Sequence, residues 1–186
     1  MELFEAIRTR RSISSYRPDA VPRDVLREVL EAATWAPNHR HNEPWFFHVV
    51  EGPARERLAA RLLEPAAGRV LDDKARGKLQ KTAERLRAAP AVVFVQTFPA
   101  DNPYDAEENY AAACCAVQNL LLAAHATGLG AIWRTGVPCE HPAVKTFLGL
   151  PPDAKLVAAI FLGRPAGAPQ AQSRRPLEER AKFIDE

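Results

Sequence analysis

Three groups of polar residues stand where they could do chemistry. The first is Arg10-Arg11-Ser12. Two guanidiniums and a hydroxyl side by side can meet a phosphate dianion through charge-assisted, bidentate hydrogen bonds. The same cations also suit the C-terminus of a preceding helix, where positive charge is favourable in its own right. The second group is Asn38-His39-Arg40-His41-Asn42-Glu43-Pro44. A loop so dense in hydrogen-bonding side chains, set between buried elements, points to ligand contact more than to a plain turn. The third is Trp133-Arg134-Thr135-Gly136, which ends a stretch from residue 110 to 133 without a single Asp, Glu, Lys or Arg, in a chain that is 26% charged. Apolar burial that stops at an aromatic, a cation, a hydroxyl and a glycine is the sequence form of a pocket built on a core element.

Other chemistries find less support. His39, His41 and His48 with Cys114 and Cys115 lack the CxxC, HExxH or carboxylate pattern of a metal site, and none is expected. Cys114 and Cys115 lie in the apolar stretch and read as small core residues, and Cys139 has no identifiable activating partner. There is no serine elbow, P-loop or GxGxxG. Gly128-x-Gly130 alone says little.

The elements that must position these groups follow from length and periodicity. A chain of 186 residues, 47% of them hydrophobic, suits one domain with a real core. A net charge of +2 calls for neither a nucleic-acid nor a membrane partner. The three cysteines suggest no disulfide framework, and the first residues lack the apolar segment of an export signal, so a cytoplasmic protein is expected. Residues 110–133 are long enough to span a bilayer, but Gln118, Asn119 and His125 within them favour a buried core helix. Apolar spacing predicts helices over 2–9, 22–35, 53–63, 72–89, about 105–127 and 141–148, and strands over 45–50, 91–97, 129–133 and 155–162. The 72–89 helix is strongly polar. Its charges read as a solvated face, on the surface or covering the site. The small-residue run Ala111-Ala112-Ala113-Cys114-Cys115-Ala116 would let another helix approach closely, including one from a symmetry mate. From Ala166 the chain reads as an extended arm ending in a basic Arg174-Arg175. The alternation implies an α/β or α+β domain of three layers.

In this order and register, the pieces resemble the FMN-dependent nitroreductase family, its short members in particular. The RRSxRxF/Y signature appears as Arg10-Arg11-Ser12-Ile13-Ser14-Ser15-Tyr16. The SPSxxNxQPW loop appears as residues 36–45, the Gly-rich strand entry as residues 128–133, LGxP as Leu162-Gly163-Arg164-Pro165, and RxPLEE as residues 174–179. Ser14 replaces the third arginine, His41 or Asn42 stands for the loop asparagine and Glu43 for the glutamine; these departures fall on flavin-ring contacts more than on phosphate contacts.

The resemblance implies an α+β, three-layer α/β/α fold over residues 1–186, with a mainly antiparallel central sheet flanked by helices. It implies an intertwined homodimer with FMN at the interface, residues 166–186 wrapping the partner. Arg10 and Ser12, with Arg11 or Arg174, would hold the phosphate. Trp35, Pro37, Asn38 and His39 would come from one subunit; residues 10–12 with Trp133, Arg134 and Thr135 would come from the other. Hydride would pass from NAD(P)H through the flavin to a small electron acceptor such as a nitroaromatic or a quinone, with no side chain acting as nucleophile. The charge a reduced flavin carries near N1 would fall to Arg134 or Arg10. Two other readings are a flavin-binding protein without turnover and a basic-armed module gripping an acidic partner.

Overall fold

A computed structural model describes residues 1–64, 72–168 and 172–184. Of the expected arm, residues 169–171 and 185–186 lie outside the described residues. The strands are β1 (Trp45–Glu51), β2 (Ala91–Thr97), β3 (Gly130–Arg134) and β4 (Lys155–Gly163), in the spatial order β1-β2-β4-β3 with every pairing antiparallel. The helices are α1 (Leu3–Thr9), α2 (Arg23–Thr34), α3 (Pro53–Leu63), α4 (Asp73–Ala88), α5 (Pro103–Ala126), α6 (Val137–Glu140) and α7 (Pro142–Phe147). Only α6 was not foreshadowed by the periodicity.

β2 and β4 are central and buried on both faces, which explains their nearly continuous apolar runs. Alternation sorts their side chains between two cores. Val93, Val95, Ile160 and Leu162 pack with α2 and α5, whereas Val92, Phe94, Ala159 and Phe161 pack with α3, α4 and α7. This is the expected α+β, three-layer architecture.

The stretch at 110–133 divides into two elements. α5 opens at Asn102, whose side chain accepts from the Asp105 N–H at 3.0 Å. It closes at Thr127 and Gly128, the latter at φ +79°, the left-handed conformation that glycine adopts without strain. β3 follows at once. No helix among the described residues is long and apolar enough to cross a membrane.

One irregularity bears on the site. Val95 and Gln96 are adjacent on β2 but face Ala158 and Leu156 on β4, so Val157 is an extra, bulged residue.

Candidate flavin site

The site grows from the outer edge of β3. Ser12 forms a parallel bridge with Ala131, and the Ile13 N–H donates to the Ala131 carbonyl at 3.0 Å. Gly130 makes this approach possible: a Cβ there would lie 2.7 Å from Ile13. Tyr16 anchors the same segment by donating its hydroxyl to the carbonyls of Ile13 and Phe161, and its burial pushes the phenol pKa upward. Residues 10–13 are thereby held along β3.

The two arginines of this segment do different work. Arg11 Nη1 donates to the carbonyls of Arg8 and Arg10, at 2.7 and 2.8 Å. It caps α1, the role favoured for a cation at a helix end, while its Nε is buried without an acceptor. Arg10 is half-buried, and its guanidinium makes no hydrogen bond or ion pair among the described residues. Burial, then the charges of Arg11 and Arg174, hold its guanidinium below the ordinary arginine value. Arg174 of the C-terminal arm is therefore a neighbour. Arg10 borders a cavity of about 260 Å³ that also contains His125. His125 Nε2 lies 2.8 Å from Thr9 Oγ1, tying α5 to α1, and burial followed by Arg10 lowers its pKa.

A larger cavity of about 600 Å³ opens where β3 leaves the sheet. One wall is the end of β3 with Arg134, Thr135 and Gly136; the other is α4. Lys78, Lys81, Thr82 and Arg85 of α4 all line it. Their spacing of i, i+3, i+4 and i+7 puts them on one helix face. A flanking face buries Leu79, Ala83 and Leu86, and Thr82 of the row is buried with them. Against four cations the lining offers, among the described residues, one carboxylate, Glu140. Arg134 is lowered in pKa by burial first and then by Arg85, so two guanidiniums oppose each other here. The α4 cations are absent from the expected site residues. The signal was their 3–4 spacing on a polar helix.

Trp133 is half-buried, lining this cavity while packing against the core. Its side chain packs with the α2–α5 cluster, and its indole Nε1 donates at 3.3 Å to the carbonyl of Val157, the bulged residue. By strand alternation its backbone N–H and C=O face outward from β3, as those of Ala131 do. Ile13 covers only Ala131.

Trp35, Asn38 and His39 lie elsewhere. Asn38 braces its own loop, accepting from the Glu43 N–H at 3.0 Å and donating to the Ala36 carbonyl at 3.3 Å. His39 Nε2 accepts from Arg40 Nε at 3.0 Å and lies 3.9 Å from Glu108. Arg40, His41 and Glu43 hold positive φ of 53°, 52° and 44°, a concentration of backbone strain of the kind found at functional loops. Asn42 ties the loop to Asn109 near the start of α5, at 2.8 Å. His125, near Arg10, is 16 residues further along α5, about 24 Å at 1.5 Å per residue. The two groups of site residues thus occupy opposite ends of α5. Trp35, at the end of α2, is 81% exposed.

This arrangement meets its counterpart among known proteins. A family model for the Nitroreductase family matches residues 7–164. The chain belongs to the nitroreductase family. It is 35% identical over 166 residues to "Putative NAD(P)H nitroreductase YdjA" of Escherichia coli, covering 89% of each chain. A nitroreductase-like family protein from Bacillus cereus superposes with a TM-score of 0.88 at 30% identity, over 100% of this chain and 97% of that one. A "putative nitroreductase" of Desulfovibrio desulfuricans, solved in complex with FMN, gives 0.76 at 30% identity, over 100% and 98%. The matched region includes Arg10, the 36–45 loop, β3 and the cationic row of α4.

Proposed function

We propose that this nitroreductase is an FMN-dependent oxidoreductase, working as a homodimer, that draws hydride from NAD(P)H and passes it to a small acceptor such as a nitroaromatic or a quinone. One observation carries the reading. Arg10 is a half-buried cation with no anionic partner among the described residues, flanked by Arg174 and by the buried, acceptor-less Nε of Arg11. Such a constellation is costly unless an anion completes it, and a phosphate dianion fits.

Arg10 and Arg174 would neutralise that phosphate, with the exposed Ser12 hydroxyl and Arg11 Nε as further donors. Arg85 and Arg134 would offset negative charge on the ring, and the outward backbone of Trp133 offers it a donor and an acceptor. When bound, FMN supplies the redox chemistry, accepting hydride from the nicotinamide and returning two electrons to the acceptor. The thiols of Cys114 and Cys139 take no part. Cys139 is buried, and that burial, followed by Glu140, pushes its pKa up to about 12; burial likewise raises Cys114. Neither presents a thiolate near neutrality. Three free cysteines support a cytoplasmic setting.

A second copy would supply what lies at the far end of α5. Trp35, Asn38 and His39 would then close over the partner's site. The exposed Leu3 and Phe4 of α1, Ala111 and Cys115 of α5, and Phe183, 84% exposed in the arm, are apolar surface that this contact would cover.

The purified protein is expected to be yellow, to bleach on anaerobic mixing with NADH or NADPH, and to run as a dimer in light scattering. Colourless protein that also fails to take up added FMN would sink this reading. Yellow protein that neither nicotinamide bleaches would reduce it to flavin binding alone.

A further inference from the structure

The α4 cavity carries more positive charge than a flavin ring requires. Lys78, Lys81, Arg85 and Arg134 line it against Glu140 alone, and among the described residues none of the four cations has an ion pair or a hydrogen-bonded acceptor for its side chain. Elsewhere on the surface, arginines of the same chain do find carboxylates: Arg23 with Glu51 at 2.6 Å, Arg61 with Glu64 at 2.9 Å and Arg87 with Glu56 at 3.0 Å. Arg87 is the instructive case. It leaves the same helix two residues after Arg85 and is paired, while the row facing the cavity is not. The row is also longer than one small group. Lys78 and Arg85 are seven residues apart, about 10 Å along the axis. Arg85 is the member that opposes Arg134 beside β3; Lys78 and Lys81 stand progressively further out along α4, toward the helix N-terminus.

We propose that Lys78 and Lys81 form a subsite for an anionic group, a phosphate monoester or a carboxylate, carried by the molecule that visits the flavin. This rests on the flavin reading above, in which Arg10 and Arg174 meet the FMN phosphate while Arg85 and Arg134 meet the ring. The outer lysines then face the space through which a second ligand must come. Two molecules can bring the anion. One is the nicotinamide donor, whose 2′-phosphate is what separates NADPH from NADH. The other is the acceptor. Lysine suits either role, because its ammonium is a mobile point charge that needs no planar partner. The subsite selects among ligands that all reach the ring, so its signature is a ratio of specificities and not a loss of the reaction.

The test uses the FMN-loaded enzyme, with Lys78→Gln, Lys81→Gln and the charge-keeping Lys78→Arg. FMN content is measured first, from the flavin absorbance relative to protein. Two ratios of kcat/KM follow: NADPH against NADH with one neutral acceptor, and 4-nitrobenzoate against nitrobenzene with one donor. Binding of adenosine 2′,5′-bisphosphate against AMP is titrated alongside, which reads the donor arm without turnover. A charge-assisted contact is of a size to shift one ratio by roughly tenfold. In wild type one of the ratios is expected to favour the anion, to fall by about that factor in the glutamine variants, and to be largely kept in Lys78→Arg. A fall in the first ratio, with weaker bisphosphate binding, assigns the anion to the donor; a fall in the second assigns it to the acceptor. Ratios near one in wild type, or unchanged in the variants of a fully FMN-loaded protein, overturn the subsite alone. FMN lost from the glutamine variants would overturn it too, by assigning the lysines to the flavin. Protein that never binds FMN overturns the reading on which it rests.

Discussion

Replacing Arg10 should act with opposite signs on the empty and the FMN-loaded chain. Without ligand, Arg10 is half-buried beside two other arginines and its guanidinium has no acceptor among the described residues, and its lowered pKa records that its charged form is disfavoured there. Arg10→Met keeps the aliphatic stem and removes the charge, so the apoprotein is expected to melt at the same temperature or a degree or two higher. With FMN the charge becomes useful. A hydrogen bond to a charged group contributes about 1.5–3 kcal/mol. Because Arg10 is partly open to solvent, the lower end applies, about 1.5–2 kcal/mol, or a 10–30-fold weaker Kd. At saturating FMN the lost affinity is lost stability in equal measure, and about 2–4 °C per kcal/mol for a domain of this size gives a fall of roughly 3–8 °C. Differential scanning fluorimetry of apo and reconstituted protein, with an FMN titration by flavin fluorescence, reads both effects. An unchanged Kd, or equal falls in Tm with and without FMN, would refute the placement of the phosphate.

Gly130→Ala puts a methyl 2.7 Å from Ile13. It should lift residues 12–13 from β3, costing about 1–3 kcal/mol in urea unfolding and weakening FMN binding; a wild-type Kd would show that this segment does not shape the site. Trp133→Phe removes the donor to the bulged Val157 carbonyl and should cost about 1–2 kcal/mol of stability, with little change in FMN content if the ring meets only the Trp133 backbone. Iodoacetamide at pH 8 should spare the buried Cys139 until the protein unfolds, as peptide mass spectrometry would reveal. The sign of the Cys139 linkage follows. Its thiol ionises near 9 when unfolded and near 12 when folded, so its contribution is full below pH 9 and is lost as pH rises toward 12. Cys139→Ala should flatten that part of the stability curve, and an identical decline in the variant would contradict it.

The elements were legible because burial imposes period. β2 and β4 are apolar without interruption since both faces are covered, and α2 shows one stripe since only one face is. Adjacent residues of one type were not separable in the same way. Arg10 and Arg11 look interchangeable in sequence, and the backbone direction at the end of α1 decides that Arg11 reaches back to the carbonyls while Arg10 stays unpaired. Trp133 reads as a lining side chain and does line the α4 cavity, but its indole hydrogen bond follows a bulge created by the pairing of β2 with β4, which no local pattern around Trp133 contains. Asn38 reads as a ligand contact, and no sequence pattern shows that its side chain also holds its own loop in place.

The row on α4 shows the limit most sharply. Lys78, Lys81 and Arg85 sit on a helix whose other face is buried, so water or a cavity would satisfy the same charges equally well in sequence. What distinguishes the two is the surface opposite. Arg87 faces Glu56 of α3 and is neutralised; Arg85 faces Arg134 of β3 and is not. A cation that folding sets against another cation is kept there at a cost to the empty chain. The anion that would relieve it is the reason to look for a ligand on α4; the sequence, with Arg85 and Arg134 far apart along it, offers only a polar helix that could lie on the surface or cover the site.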